Sequence, residues 1–163
     1  HYRGAEIAID SRADAPRKPQ VAGDTLTIRG PEDTPGKRLQ RWLEGESVRL
    51  FAADAADYCA RGELAQAEVK LTRARRRWGS CSSEGVLRLN WRLVQAPDHV
   101  RRSVVAHEVA HLVHFDHSPA FHALLDQLYE TRQNLLSLTA AIRAQDETVQ
   151  AAIMAALRPE GED

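Results

Sequence analysis

The sequence has little of several features that would place it in a specialised class of protein. Two cysteines among 163 residues are too few for a disulfide scaffold, so Cys59 and Cys81 are expected to be reduced thiols of a cytoplasmic protein. No apolar run approaches the ~20 residues that a membrane helix needs, and we therefore expect no membrane partner. Internal repeats and low-complexity tracts are also missing. Because the chain opens on His1 instead of Met, the lack of a signal peptide says little about the compartment.

The chain as a whole has no large excess of positive or negative charge, but individual segments do. The net charge is -1, yet residues 61–106 carry ten basic and four acidic side chains, and residues 107–163 carry three and nine. A near-neutral chain is not a general nucleic-acid binder, so no nucleic-acid partner is expected. The basic excess includes the run Arg73, Arg75, Arg76 and Arg77, which we interpret as a solvated strand end, although a local patch of this kind can touch an anion.

The order of hydrophobic patterns predicts an α+β fold. Residues 24–28 alternate with period 2, residues 37–59 have helical spacing with Gly62 as the C-cap, and residues 68–72 and 86–93 alternate again. The last two segments suggest an antiparallel pair of strands. Helix starts are predicted at Asp98 and at Ser118, which precedes a proline, and residues 134–157 have helical spacing.

A cluster of histidines carries the strongest chemical signal. Residues 107–111 read His-Glu-Val-Ala-His, a match to H-E-x-x-H, for which roughly 0.02 matches are expected by chance in a chain of this composition. On a helix, His107 and His111 lie one turn apart on one face and can reach the same metal ion. Glu108 would then stand beside a metal-bound water as its general base.

A catalytic zinc site needs a third protein ligand, which we predict to be His117. It lies just before the predicted helix start at Ser118, where the chain must turn back. His122 and Asp116 are weaker candidates, and Asp116 can instead cap the next helix. His114 lies about 10.5 Å along the helix axis from His107, too far to share an ion with it.

Four stretches together resemble the YgjP-like metallopeptidase family and, more distantly, the SprT-like zinc proteases. They are the strings Arg-Trp-Gly-Ser-Cys-Ser at 77–82, Leu-Asn-Trp-Arg-Leu at 89–93, Val-Val-Ala-His-Glu-Val-Ala-His-Leu at 104–112 and Asp-His-Ser-Pro-Ala-Phe at 116–121. The resemblance is dense from residue 73 to residue 125. It implies a zincin-type domain with Zn²⁺ on His107, His111 and His117 and with Glu108 as general base. It does not imply a particular substrate.

The leading hypothesis is therefore a zinc metallopeptidase that hydrolyses peptide bonds with a zinc-bound water and Glu108. A zinc-dependent nucleotide pyrophosphatase that uses the arginine run to clamp phosphate is one alternative, although the chain has no Gly-rich phosphate loop. A non-catalytic, zinc-stabilised binding module is another, and it would need a fourth ligand from Cys81, Asp116 or His122.

The expected architecture is a small, mostly antiparallel sheet packed on an active-site helix, with a long preceding helix and a helical C-terminus. We expect strands and turns in residues 1–36, a zincin-like domain in 37–130 and a helical tail in 131–163. An exposed strand edge at 86–93 is a candidate to pair with an extended peptide, with Asn90 or Arg92 near the cleft. The alternative interpretation is an ordinary sheet strand whose polar residues face water. Trp78 and Trp91 are predicted to be core residues, and Cys81 a small buried one. The donor to the transition-state oxyanion is open among Arg77, Arg92, His122 and Tyr129.

Overall fold

The computed structural model describes residues 1–31 and 35–129, which form an α+β arrangement. The helix predicted at 134–157 lies outside the described residues. The elements in chain order are β1 Ala8–Arg12, β2 Gln20–Ala22, β3 Thr25–Arg29, α1 Gly36–Arg61, β4 Glu68–Thr72, β5 Gly79–Cys81, β6 Val86–Asn90, a 3-10 helix Trp91–Gln95, α2 Asp98–Ala110 and α3 Pro119–Leu128.

Two three-stranded sheets are present, and both are mixed. In the first, with order β1-β3-β2, β1 runs parallel and β2 antiparallel to β3. In the second, with order β4-β6-β5, β4 runs parallel and β5 antiparallel to β6. The prediction of a mostly antiparallel sheet was wrong, and so was the antiparallel pairing of residues 68–72 with 86–93. The antiparallel partner of β6 is the three-residue strand β5, which forms a hairpin with it and leaves the far side of β6 to β4.

The predicted edge strand is therefore the central strand of its sheet, which makes that prediction wrong as well. β6 ends at Asn90, where the side-chain oxygen accepts a hydrogen bond from Arg92 N and starts the 3-10 helix. The Asn90 amide donates to Ala74 O at 2.9 Å. Asn90 is thus buried, and both its amide nitrogen and its amide oxygen bind main-chain groups, which gives it a structural role.

The core lies where the second sheet packs against the helices. α1 packs against α2 and β4, and α2 packs in turn against α3 and β5. The largest side chains of this core are fully buried: Phe51, Tyr58, Leu87, Leu89, Val105, Val109, Phe121 and Leu128. Trp78 packs against this cluster, and Trp91 packs against a smaller cluster around Leu43, Leu50 and Val94. Both tryptophans are only partly buried, so they border the core and do not lie within it as predicted.

An ion-pair network joins α2 to α1. The Asp54 carboxylate of α1 accepts hydrogen bonds from Arg101 Nε at 2.7 Å and Arg102 Nη1 at 2.9 Å. Arg101 also pairs with Asp98, and Arg102 pairs with Asp57. Asp54 and Arg101 are 4% and 3% exposed, so both charges have left water and depend on each other. The network sets how the helix that carries the first histidine lies on the rest of the core.

Candidate metal centre

The three histidines expected to bind a metal come together at the end of α2. His107 lies in the last turn of this helix, His111 is its C-cap, and His117 follows six residues later. One ring nitrogen from each histidine lies within 4.8 Å of one ring nitrogen from each of the other two, and no other such group of histidine, cysteine or carboxylate side chains occurs in the described part of the chain. His107 Nε2 is 3.1 Å from His111 Nε2 and 3.2 Å from His117 Nε2. Because His111 keeps helical backbone angles (φ -68°, ψ -13°), the one-turn spacing of the pair persists beyond the last helical residue.

The hydrogen bond made by His111 and the burial of His107 both suit a cation bound between the two rings. His111 Nδ1 lies 2.8 Å from the main-chain oxygen of His114, which can only accept, so Nδ1 carries the proton and Nε2 turns a lone pair toward His107. Burial, reinforced by the neighbouring histidines, lowers the pKa of His107 to about 4. A neutral imidazole is the form that binds metals, and imidazole nitrogens suit zinc among the divalent ions. The residues present therefore fit a metal of this type.

The histidine rings rest on an aromatic side chain, Phe121, that the sequence did not place at the site. Phe121 is fully buried, and its ring centroid lies 4.6 Å from that of His111, 4.9 Å from His117 and 5.0 Å from His107. The predicted helix start puts it there, since Ser118 Oγ accepts from Phe121 N at the beginning of α3. Contact with all three rings restricts their rotation, so Phe121 supports the cluster mechanically.

Glu108 lies beside the cluster and is 6% exposed. Burial raises the pKa of its carboxyl group, and the electrostatic effect of the neighbouring His111 partly opposes that shift. The main chain of β5 passes directly against it at Gly79, a contact that sequence reasoning missed. The thiol of Cys81, two residues further along β5, is half-buried, and its pKa is raised by burial and by the charge of Glu108.

The weaker ligand candidates have other roles in the structure. Asp116 is exposed and hydrogen-bonds to Ser118, which lowers the pKa of its carboxyl group. His114 contributes its main-chain oxygen to His111, as described above. Neither Asp116, Cys81 nor His122 belongs to the three-histidine group found among the described residues.

The four candidate oxyanion donors lie in different surroundings. Tyr129 donates its hydroxyl to His99 O at 2.9 Å, and the Arg92 guanidinium lies 5.2 Å from the centre of the Trp91 ring. Arg77 is exposed on the connection between β4 and β5. His122 packs edge-on against Phe121 and lies close enough to lower the pKa of His107 electrostatically.

Comparison with known proteins identifies the family of the chain. The sequence matches the family model described as YgjP-like, metallopeptidase domain, over residues 1–151. The chain belongs to the YgjP-like family. The match extends well beyond residues 73–125, which carried the resemblance, and the family's description points to a metal-dependent peptide hydrolase. A comparison with curated proteins found no match. No helix of the described YgjP-like chain is long and apolar enough to cross a membrane.

Proposed function

We propose that this YgjP-like chain is a zinc-dependent metallopeptidase whose zincin-like domain spans residues 37–130. In this proposal His107, His111 and His117 hold one zinc ion and Glu108 is the general base. The observation that carries it is the meeting of three imidazole nitrogens beside Glu108. Catalytic zinc sites have three protein ligands and an open position, whereas structural sites are closed by a fourth. The lack of a fourth ligand in the group, among the described residues, favours a peptidase over a zinc-stabilised binding module.

The chemistry assigned to the protein is proton transfer by Glu108. When bound, a zinc ion lowers the pKa of a coordinated water toward neutrality and polarises the substrate carbonyl. Because burial raises the pKa of Glu108, its carboxylate is a stronger base than an exposed glutamate. Glu108 takes a proton from the attacking water and delivers it to the leaving amine nitrogen. His122 is kept as a candidate to stabilise the developing oxyanion because its ring packs against Phe121, which contacts all three histidines.

The strand proposed to pair with an extended peptide is β5, since β6 is paired on both sides. Asn90 N donates to Trp78 O, and Ser82 N donates to Val86 O, so the main-chain groups of Trp78 and Ser82 face β6. Main-chain groups alternate in direction along an antiparallel strand, and those of Gly79 and Cys81 therefore point away from β6. This edge begins beside Glu108, which suits a substrate strand that must reach the metal.

The first experiment measures zinc per chain by elemental mass spectrometry on protein purified without chelators or a histidine tag. We expect one equivalent, lost in His107→Ala and His117→Ala. His114→Ala is the matched control and should retain the metal, because its main-chain oxygen still accepts from His111. Absence of metal after zinc is added back would contradict the proposal.

The second experiment separates metal binding from catalysis. Glu108→Gln keeps the shape of the side chain and removes its basicity, so it should retain zinc and lose turnover of an unfolded protein substrate. Full activity of this variant would refute the role of Glu108. Nucleoside triphosphates assayed in parallel test the pyrophosphatase alternative, which predicts phosphate-ester turnover without proteolysis.

A further inference from the structure

We propose that Gly79 is a positioning residue for Glu108: the missing side chain lets strand β5 press its main chain against the carboxylate and set where that carboxylate lies. The catalytic part of this inference rests on the proposed function of Glu108. The packing part concerns two residues of the chain alone.

The contact leaves no room for a side chain. A β-carbon at Gly79 would lie 2.5 Å from Glu108 Oε1, 2.7 Å from Cγ and 2.8 Å from Cδ. All three distances are below ordinary carbon contact distances, so either the strand or the glutamate would have to move. Three successive atoms of Glu108 are involved, which means that the side chain lies along the Gly79 main chain instead of touching it at one point.

Backbone conformation does not explain this glycine. Among the described glycines, positive φ angles occur at positions 4, 23, 30 and 85 but not at 79. Any residue can adopt the extended conformation of Gly79, and glycine is disfavoured within strands because it contributes no packing. A strand glycine of this kind marks a place where another group approaches the backbone closely.

The strand is held more firmly than the glutamate. Gly79 pairs with Leu89, which is fully buried, and Trp78 O accepts from Asn90 N at 2.8 Å, so β5 is tied to the central strand. No hydrogen bond to the Glu108 carboxylate occurs within residues 1–31 and 35–129. Its position therefore depends on packing, and a β-carbon at Gly79 would displace the carboxylate in preference to the strand.

A double-mutant cycle measured by melting temperature, referred to below as the thermal cycle, tests the packing directly. Gly79→Ala is made in the wild-type background and in the Glu108→Ala background, and the melting temperature of each protein is measured. We expect a clear loss in the first background and little or no loss in the second, because the colliding atoms are gone. If Gly79→Ala alone fails to fold, recovery of folding in the double variant supports the contact. An equal loss in both backgrounds, or failure of both to fold, overturns it.

Kinetics tests the positioning role. With zinc content unchanged, Gly79→Ala should lower kcat about 100-fold and leave KM unchanged, since a displacement of about 1 Å costs that much in a positioned group. Gly45→Ala is the matched control, because nothing lies within 4 Å of a β-carbon at that helix position, and its kcat should equal that of the wild type. Wild-type kcat in Gly79→Ala overturns the positioning role. Full activity of Glu108→Gln would refute the proposed function. The thermal cycle would still test whether the Gly79 main chain contacts the Glu108 side chain.

Discussion

Replacement of Asp54 by alanine tests what holds the metal-binding helix in place. Asp54 lies on α1 and binds Arg101 and Arg102 of α2, the helix that carries His107 less than two turns later. Asp54 and Arg101 are both buried, so their charges are compensated by protein groups and not by water. In the variant, the guanidinium groups of Arg101 and Arg102 each lose one carboxylate partner at the junction between α1 and α2.

The structure sets the size of the effect. Removing one partner of a buried ion pair costs about 3–5 kcal/mol of unfolding free energy. Arg101 keeps Asp98 and Arg102 keeps Asp57, the latter at 2.6 Å, so the loss should fall at the lower end, about 3 kcal/mol. For a chain of this length that corresponds to a fall in melting temperature of roughly 6–12 °C.

Urea unfolding followed by circular dichroism measures this loss, provided that the dependence on urea concentration stays the same. Asp57→Ala is the matched control. Like Asp54, Asp57 lies on α1 and binds Arg102, but its side chain is 38% exposed. Its replacement should therefore lower the free energy of unfolding by only about 0–1 kcal/mol. If Asp54→Ala lost no more stability than Asp57→Ala, the buried network would not be what fastens α2 to α1.

Three further predictions concern the helix start, the aromatic support and a hydroxyl group. Hydrogen bonds from Arg3 and then Arg101 lower the pKa of Asp98 from 3.8 to about 2. Its contribution to stability should therefore be complete above about pH 4 and disappear as the pH falls toward 2, and acid titration of Asp98→Asn should lack that component. Equal acid sensitivity of the two proteins would contradict this. Phe121→Ala should lose about 3–5 kcal/mol by chemical unfolding and bind zinc more weakly in a chelator competition, whereas unchanged zinc affinity would deny that the ring supports the histidines. Tyr129→Phe removes one hydrogen bond to His99 O and should cost about 0.5–1.5 kcal/mol with turnover unchanged; a large loss of turnover would return Tyr129 to the candidate oxyanion donors.

The sequence predicted the second sheet less well than the helices. Alternation in residues 86–93 identified which side chains are buried, but alternation does not identify the partner strand or its direction. Strand β5 has three residues, too short for a period to be visible, and yet it takes the antiparallel position beside β6. The alternation also continued past Asn90, where a side-chain cap turned the main chain into a 3-10 helix. These outcomes depend on contacts between segments, which a local pattern does not contain.

The sequence by itself determined whatever depends on spacing within one element. The four-residue separation of His107 and His111 places both on one helix face because the helix repeats every 3.6 residues, and the Ser118-Pro119 pair begins the next helix because of its own capping chemistry. The tertiary structure alone decided which residues from other elements surround that pair. Gly79 and Glu108 lie on different elements, as do Phe121 and His107, so no helical or strand period relates the members of either pair. Their contacts with the site arise because β5 and α3 close-pack against α2, where the shapes of distant side chains must fit together.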